Sequence, residues 1–320
     1  MEGLENQDIA TTFKAAGDQL RIDILRVLKD ASFGVQELAS IFDMPQPGMS
    51  HHLKVLSRSH LVTSRREGNC FFYRRPIIPL DSPMKSVLNA LFATIDRLDL
   101  RPEYGKKIEA IHDQRRKSSM EFFSRNSELL FEHQARIASY DRYSQAAREL
   151  LEQVAPEKKK LALEVGPGQG GFLLELTRVF EQVIALDNAD EMLAKARRTI
   201  EKNGLADRVS WLHGELGVAL AEGLKVDFLA LNMVLHHMAN PSEMFSGFYK
   251  LLNKNGVLFI VDLCPHDQEW AREACGDIWM GFEGDELENW AQKAGFSSVQ
   301  SSYLGLKNGF QIQLKAFRKF

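Results

Sequence analysis

The stretch LALEVGPGQGG, which ends at Gly171, constrains the fold of this chain more than any other feature. Its apolar first half predicts a buried strand, and Gly166, Gly168 and Gly170 then allow the backbone to bend tightly and to approach a ligand closely. From about residue 158 to residue 320, further short apolar segments alternate with helical segments. This alternation predicts an α/β domain with a mostly parallel sheet. The glycine-rich turn alone suits a dinucleotide-binding site equally well.

Acidic residues near the turn distinguish a dinucleotide from a ligand that carries a methionine moiety. Glu164 precedes the first glycine of the turn, where a carboxylate would repel a pyrophosphate but would attract the ammonium group of a methionine moiety. The next predicted strand ends at Asp187, a position from which a carboxylate can bind both ribose hydroxyls. Met192, on the helix that follows, is placed to lie against an adenine ring, and Glu215 follows the third strand near the adenine edge.

These residues resemble, in order and spacing, the class I S-adenosylmethionine (SAM)-dependent methyltransferases over about residues 125–320. The resemblance implies a Rossmann-like domain with a seven-stranded sheet, which needs a strand over Val257–Leu263 and two more within 300–318, joined by a turn at Gly305–Gly309. It also implies SAM as the cofactor, S-adenosylhomocysteine as the product, and a cofactor site. The implied cofactor residues are Glu164, Gly166, Gly168, Gly170, Asp187, Asn188, Met192, Gly214, Glu215, Leu216, Asn232 and Met233.

One residue of this predicted site departs from the family pattern, and two nearby histidines have no assigned role. Glu215 stands where the family more usually has aspartate, so its contact with adenine is expected to be weaker or shifted. His236 and His237 follow the fourth strand and are candidates for a catalytic base. We favour the interpretation that they are partly buried histidines with satisfied hydrogen bonds, which leaves the catalytic residues unassigned.

The N-terminal part of the chain has a different pattern. Two short helices, Val35–Phe42 and Gln46–His60, are separated by a break at Pro45, and two strand-like segments flank the turn Glu67–Asn69. Two helices and a hairpin in this order predict a winged helix-turn-helix. Lysine and arginine outnumber acidic residues over residues 50–75, which favours binding to a polyanion such as DNA.

Residues 50–75 resemble the ArsR-type winged-helix repressors, and the resemblance extends over about residues 10–100. It implies a homodimer that binds a double-stranded inverted-repeat operator, with Pro83–Leu98 at the dimer interface. The cysteine pair that some members use to sense metals is absent from Phe33–Leu38, and Pro83–Leu98 contains no histidine, so no metal is expected. The predicted DNA-binding residues are Gln46, Ser50, His51, His52, Lys54, Arg65, Arg66 and Arg74.

The two resemblances divide the chain into three parts: residues 1–100 for DNA binding and dimerisation, residues 101–155 for a helical linker that also covers the cofactor, and residues 156–320 for methyl transfer. Within the linker, the segment Phe131–Tyr143 is expected to act as the lid. The three cysteines are far apart and predict neither disulfides nor a zinc ribbon. No apolar run is long enough to span a membrane, and the polar, acidic N-terminus does not resemble a signal peptide, which indicates a cytoplasmic protein.

We therefore expect a homodimeric transcriptional regulator with a SAM-binding domain that methylates a small molecule. Two alternatives remain open. The domain could bind SAM or S-adenosylhomocysteine without catalysis and report methylation status to a promoter. The chain could also be a small-molecule methyltransferase that uses its winged helix only to dimerise.

Overall fold

The computed structural model describes residues 6–126 and 130–320. The chain forms two compact units, Met1–Arg115 and Arg116–Phe320. Residues 127–129, which belong to the predicted linker, lie outside the described residues. No helix in the described ranges combines the length and the apolar character needed to cross a membrane.

The first unit is a winged helix-turn-helix, as the sequence predicts. Asp18 accepts a hydrogen bond from the Arg21 backbone N–H and so caps the second helix. The hairpin pairs Thr63 with Arg74 in an antiparallel register. The elements of this unit are α1 (Asn6–Ala16), α2 (Gln19–Val27), β1 (Phe33–Gly34), α3 (Val35–Ile41), α4 (Gln46–Arg58), β2 (Thr63–Glu67), β3 (Cys70–Arg74) and α5 (Lys85–Ile95).

The core of the first unit fixes which face of α4 is free. Met49, Leu53 and Leu56 recur at helical spacing and are fully buried. Arg75 ties the end of the hairpin to neighbouring helices: its guanidinium lies 2.8 Å from an Asp96 carboxylate oxygen and 4.7 Å from the centre of the Phe92 ring. Because this face of α4 is buried in the core, the opposite face of α4 lies on the outside of the unit.

A long helix, α6 (Pro102–Asn126), begins in the first unit and ends in the second. The remaining helices are α7 (Leu130–Ala138), α8 (Tyr140–Val154), α9 (Gly171–Val179), α10 (Asp190–Lys202), α11 (Leu216–Ala221), α12 (Pro241–Leu251), α13 (Glu269–Cys275) and α14 (Gly284–Ala294). The strands are β4 (Leu161–Val165), β5 (Gln182–Asp187), β6 (Val209–His213), β7 (Val226–Asn232), β8 (Leu252–Leu263), β9 (Phe296–Gly305) and β10 (Gln311–Lys319).

The second unit contains a seven-stranded sheet in the order β6-β5-β4-β7-β8-β10-β9. The first five strands of this order are parallel, and β10 pairs antiparallel with both β8 and β9. This confirms the predicted mostly parallel sheet. The chain order reverses between β4 and β7, and ligands of such sheets bind beyond the carboxyl ends of the strands at this switch point.

Two strands differ in length from the sequence expectation. The strand expected at Val257 begins at Leu252, and its register with β7 shifts between Val226 and Phe228. Asn255, with φ of +63°, takes up the irregularity. The strand expected to begin near residue 300 starts at Phe296, because β9 extends along the whole of β10 at the sheet edge.

Aromatic side chains pack between the sheet and the helices that cover it. Phe172 on α9 stacks on Phe259 of β8 with the ring centres 5.3 Å apart, and Phe228 of β7 lies 5.6 Å from Phe259. All three side chains are buried. This core fixes α9, β7 and β8 relative to one another, and with them the side chains at the carboxyl ends of β7 and β8.

Candidate functional site

The glycine-rich turn after β4 combines a packed position with an open one. Gly166 has φ of +67°, its N–H donates to the Leu186 carbonyl at 2.8 Å, and a Cβ there would overlap the Val234 side chain. Gly168 also has a positive φ, +54°, but a Cβ there would meet no atom within 4 Å. At Gly170, the N-cap of α9, an added Cβ would lie against the Ala196 backbone. The turn therefore leaves open space above Gly168, as a closely approaching ligand requires.

Glu164, in β4 just before this turn, is a buried carboxyl group that lacks a hydrogen-bond donor on one oxygen. It is 1% exposed, and burial raises the pKa of its carboxyl well above the usual value. Its Oε2 has no hydrogen-bond partner among the described residues, and the same is true of the buried Oδ1 of Asn232 at the end of β7. Two buried acceptor atoms without donors suit a ligand that brings donors, such as an ammonium group.

Two tyrosines from α8 surround this pair of acceptors. Burial raises the pKa of Tyr143, and nearby Glu164 raises it further, while a side-chain hydrogen bond with Asn232 opposes both effects. Tyr140 packs its ring against α9 so closely that a Cβ at Gly171 would lie 2.8 Å from it. Its buried hydroxyl has no hydrogen-bond partner among the residues that the structure describes. The start of α8, which ends the predicted lid segment, is therefore part of the polar cluster.

Asp187 lies at the carboxyl end of β5, beside β4. Its Oδ1 accepts a hydrogen bond from the Ala189 N–H at 2.9 Å, and its carbonyl accepts one from the Gly214 N–H at 2.9 Å. Burial raises the pKa of Asp187 to about 6, although the Ala189 and Asn188 amides and His213 favour its ionised form. The structure thus brings Asp187, Asn188 and Gly214 together at one edge of the sheet.

The remaining predicted cofactor residues differ in exposure. Met192 and Leu216 are each 5% exposed and contribute to the buried interior. Glu215 is exposed, and its carboxylate lies 3.9 Å from Arg116. Met233 is half-buried and adopts φ of +56°, which turns the chain sharply after β7. The sharp turn at Met233 therefore lies at the same edge of the sheet as Glu164 and Asp187.

His236 and His237 are buried and held by partners distant in sequence. The Nδ1 of His236 lies 2.7 Å from Asp262 Oδ1, and its Nε2 lies 3.6 Å from Asp277 Oδ1. Burial lowers the pKa of His236, but Asp262 and Asp277 outweigh it and raise the pKa to about 9. The Nδ1–H of His237 donates to the Gly276 carbonyl at 3.3 Å.

Sequence reasoning did not single out Asp262, Asp277, Tyr140 or Tyr143 as site residues. Asp262 follows the apolar run of β8, and a polar residue at the carboxyl end of a buried parallel strand was a usable signal. Asp277 lies in an irregular segment after α13, with no comparable pattern.

In the first unit, the structure presents most of the predicted DNA-binding residues of α4 to solvent. Gln46, Ser50, His51 and Lys54 are exposed, and His52 is half-buried. Gln46, Ser50 and Lys54 share one face of the helix because they are spaced four residues apart. This face is free to enter a DNA groove.

The wing arginines have local partners. Arg65 forms an ion pair with the buried Glu67 in the turn, and the Nε–H of Arg66 donates to the Gly68 carbonyl at 2.8 Å. Arg66 is exposed, while Arg74 on the other strand is half-buried. Of these three wing arginines, Arg66 alone is exposed.

Comparison with known proteins identifies both parts of the chain. Residues 133–301 match the methyltransferase domain family. The chain belongs to that family. Residues 17–65 match a helix-turn-helix domain family. The chain thus joins an ArsR-type DNA-binding regulator domain to a methyltransferase domain, as the two sequence resemblances predict.

Curated relatives match one part of the chain or the other. The uncharacterized HTH-type transcriptional regulator MJ1325 of Methanocaldococcus jannaschii is 40% identical over 65 residues, which are 20% of this chain and 73% of that protein. The arsenical resistance operon repressor of Staphylococcus aureus is 34% identical over 68 residues, 21% of this chain and 65% of the repressor. The tRNA 5-carboxymethoxyuridine methyltransferase of Escherichia coli K12 is 26% identical over 118 residues, 37% of this chain. The match spans 45% of that enzyme, less than half of its length.

Among solved structures, the N-methyltransferase NodS from Bradyrhizobium japonicum in complex with S-adenosylhomocysteine aligns with a TM-score of 0.46 and 13% identity. The alignment covers 60% of this chain and 98% of NodS.

Proposed function

We propose that the protein is a cytoplasmic, homodimeric transcriptional regulator that binds an inverted-repeat DNA operator and carries a SAM-dependent methyltransferase acting on a small molecule. The observation that carries the proposal is the arrangement at the carboxyl edge of the sheet. There, the buried Oε2 of Glu164 has no partner among the described residues, Asp187 ends β5, and the turn that follows Glu164 has open space at Gly168. This arrangement suits a nucleoside that carries an amino acid with a free ammonium group.

Each group at this edge has a stated role in the proposal. Glu164 and the Asn232 amide oxygen accept hydrogen bonds from the ammonium of the methionine moiety, and Asp187 accepts them from the ribose hydroxyls. Asn188 and Gly214, which lie beside Asp187, would adjoin the adenine. SAM supplies an electrophilic methyl group when it is bound. The tyrosines of α8 exclude water from the ammonium end, which strengthens the charged hydrogen bonds there.

Methyl transfer from a sulfonium to an already nucleophilic acceptor depends mainly on positioning, so the proposal requires no strong base. The segment 131–143, which ends in the first residues of α8, is proposed as a cover for the cofactor. A cover that closes only around bound cofactor would link ligand binding to DNA affinity. DNA affinity that is equal in the presence and absence of SAM and S-adenosylhomocysteine would refute this link.

The DNA-binding part of the proposal depends on the exposed face of α4 and on Arg66 of the wing. Cationic side chains on such a surface bind phosphates with release of counterions, and polar groups near the start of the reading helix contact base edges. The proposed division into residues 1–100, 101–155 and 156–320 assigns DNA binding and dimerisation to the first part.

The decisive experiment measures binding to the purified full chain by calorimetry, with SAM, S-adenosylhomocysteine and a nicotinamide dinucleotide as ligands. We expect micromolar or tighter binding of the first two and none of the third. Tight binding of the dinucleotide with no heat from either sulfur nucleoside would overturn the proposal. Mass spectrometry of the protein as purified, searching for a retained nucleoside, is an independent check.

Two further measurements separate the proposal from its alternatives. Transfer of labelled methyl groups to a small-molecule fraction of cell extract is expected, whereas cofactor binding without transfer would indicate a sensor. A gel shift on the upstream promoter is expected to require Lys54 and Arg66. A dimer that shifts no DNA would indicate a methyltransferase whose winged helix only dimerises.

A further inference from the structure

A cluster of nitrogen and oxygen donors lies at the carboxyl ends of β7 and β8, outside the proposed cofactor contacts. His236 and His237 form a short 3-10 turn after β7, and Asp277 follows α13. Within the described residues, one ligand atom from each of the three side chains lies within 4.8 Å of the others. The three residues are 3%, 7% and 2% exposed, respectively.

We propose that His236, His237 and Asp277 bind a divalent transition-metal ion, zinc in the first instance, with Asp262 orienting His236. Two imidazoles and a carboxylate are a donor set that zinc and similar borderline ions prefer over magnesium or calcium. The site goes beyond the proposed methyl transfer and does not depend on it.

The distances fit such an ion. The Asp277 Oδ1 atom lies 3.6 Å from His236 Nε2 and 3.6 Å from His237 Nδ1. Donors at bond lengths of about 2.0–2.2 Å in a tetrahedral arrangement are separated by about 3.3–3.6 Å. Two of the three donor pairs are therefore already at the spacing of bound ligands, and the third lies within 4.8 Å.

The orientation of His236 is fixed in the way that metal-binding histidines usually are. Its Nδ1 bonds Asp262 Oδ1 at 2.7 Å, so that Nε2 faces Asp277. Asp262 is itself held by the backbone N–H groups of Leu235, at 3.0 Å, and Leu263, at 2.7 Å. A carboxylate that fixes the far nitrogen of a ligating imidazole is a common feature around zinc, where it sets the ring orientation and raises ligand basicity.

His237 supplies the second observation that points to a ligand. Its Nε2 is buried and has no hydrogen-bond partner in the described parts of the chain, and its Nδ1 makes only the long 3.3 Å bond to Gly276. A histidine that is more than nine-tenths buried with so little hydrogen bonding is costly unless another group binds it. An ion bound at His237 Nδ1 would replace this long bond, with the Nδ1 proton released or moved to Nε2.

The cluster is shielded from water by the second half of α6. The Ser119 hydroxyl donates to the His237 carbonyl at 3.4 Å, and the Phe123 ring meets the His237 ring edge-on with the centres 4.8 Å apart. A dry environment strengthens the attraction between a cation and Asp277 and slows exchange of the ion. Three protein ligands leave a fourth position for water or for an acceptor atom.

The test uses the tag-free full chain, stripped with a chelator and measured without SAM, so that its outcome is separate from that of the methyl-transfer proposal. Zinc and cobalt(II) are titrated separately. We expect one equivalent of each to bind, with the visible ligand-field absorption of four-coordinate cobalt. Asp277→Asn and His237→Gln are expected to weaken binding at least tenfold, and Asp262→Asn about 10- to 100-fold.

The matched control is His213→Gln, which alters an exposed histidine of the same unit and should leave binding unchanged. Absence of stoichiometric binding to the wild-type chain, or equal binding by the wild type and Asp277→Asn, would overturn the proposal. If a variant does not fold, X-ray absorption of the zinc-loaded wild type decides: a shell of nitrogen and oxygen with imidazole scattering supports the site. Sulfur in that shell, which Cys275 next to Gly276 would supply, overturns it.

Discussion

Replacement of Glu164 by glutamine is expected to stabilise the ligand-free methyltransferase domain and to weaken its binding of SAM. Glutamine keeps the shape of the side chain and removes the charge. Because burial raises the pKa of Glu164, the ionised carboxylate destabilises the fold, and the free energy of unfolding falls as pH rises through that raised pKa. Glu164→Gln removes this loss, so we expect a gain of about 1–3 kcal/mol at pH 8, shrinking towards zero near pH 4.5, where the unfolded-state carboxyl also begins to bind its proton.

The same substitution removes the charged partner of the proposed ammonium group. A hydrogen bond to a charged group contributes about 1.5–3 kcal/mol, which corresponds to a loss of about 10- to 150-fold in SAM affinity. Urea unfolding at acid and alkaline pH measures the first effect, and calorimetry measures the second. A wild type that is more stable than Glu164→Gln at pH 8, together with unchanged SAM affinity, would refute the reasoning.

Glu175→Gln is the matched control for this experiment. Glu175 is also buried, at 6% exposure, but its carboxylate lies 2.7 Å from Arg178 and 3.1 Å from Arg148. Removing its charge breaks these ion pairs, so we expect destabilisation in place of stabilisation, with little change in SAM affinity beyond that caused by partial unfolding.

Three other predictions concern the same two units. SAM affinity should fall as pH decreases through about 6, the pKa of Asp187, because the protonated carboxyl accepts fewer hydrogen bonds. Asp187→Asn should reduce this dependence in calorimetry and leave the part that is due to Glu164; a pH dependence identical to that of the wild type would contradict the ribose contact. Gly168→Ala should cost about 1–2 kcal/mol of stability, because its backbone is left-handed, and should weaken SAM binding at least tenfold. Gly166→Ala, which also creates a steric overlap, should lower the melting temperature further. Unchanged SAM affinity in Gly168→Ala would place the cofactor elsewhere. Lys54→Ala should reduce the slope of log DNA affinity against log salt by about 1 in anisotropy titrations, and Lys202→Ala on α10 should not; equal slopes would remove Lys54 from the phosphate contacts.

Local periodicity was sufficient to predict both domains. Met49, Leu53 and Leu56 alternate with exposed residues at helical spacing, and the runs before Val165 and Asp187 are apolar enough to be read as buried strands. The strand starts were harder to predict. The sequence NKNG before Val257 suggests a turn, but β8 begins before it, because pairing with β7 recruits these polar residues into the strand.

The positions of Glu164 and Asp187 in the fold were predictable because these residues lie at the ends of strands. Glu164 and Asp187 lie at or beside the carboxyl ends of β4 and β5, where strand position alone determines which edge of the sheet they occupy. The partners of the histidines were not predictable in this way. Asp277 meets His236 only because the irregular chain after α13 returns to the end of β7, a tertiary contact that leaves no periodic signal in the sequence.

Burial of a carboxylate does not by itself identify a ligand site in this domain; the number of donors around the carboxylate does. Asp227 is 3% exposed, yet it accepts from the backbone N–H groups of Lys160 and Leu161 and from the Asn253 amide, and it pairs with Lys158. Such a residue joins strands and has no acceptor capacity left for a ligand. Glu164 is buried to the same degree but retains an oxygen without a donor. Because a buried carboxyl oxygen without a donor is destabilising, its presence in a stable fold is best explained by a cation that arrives with the ligand.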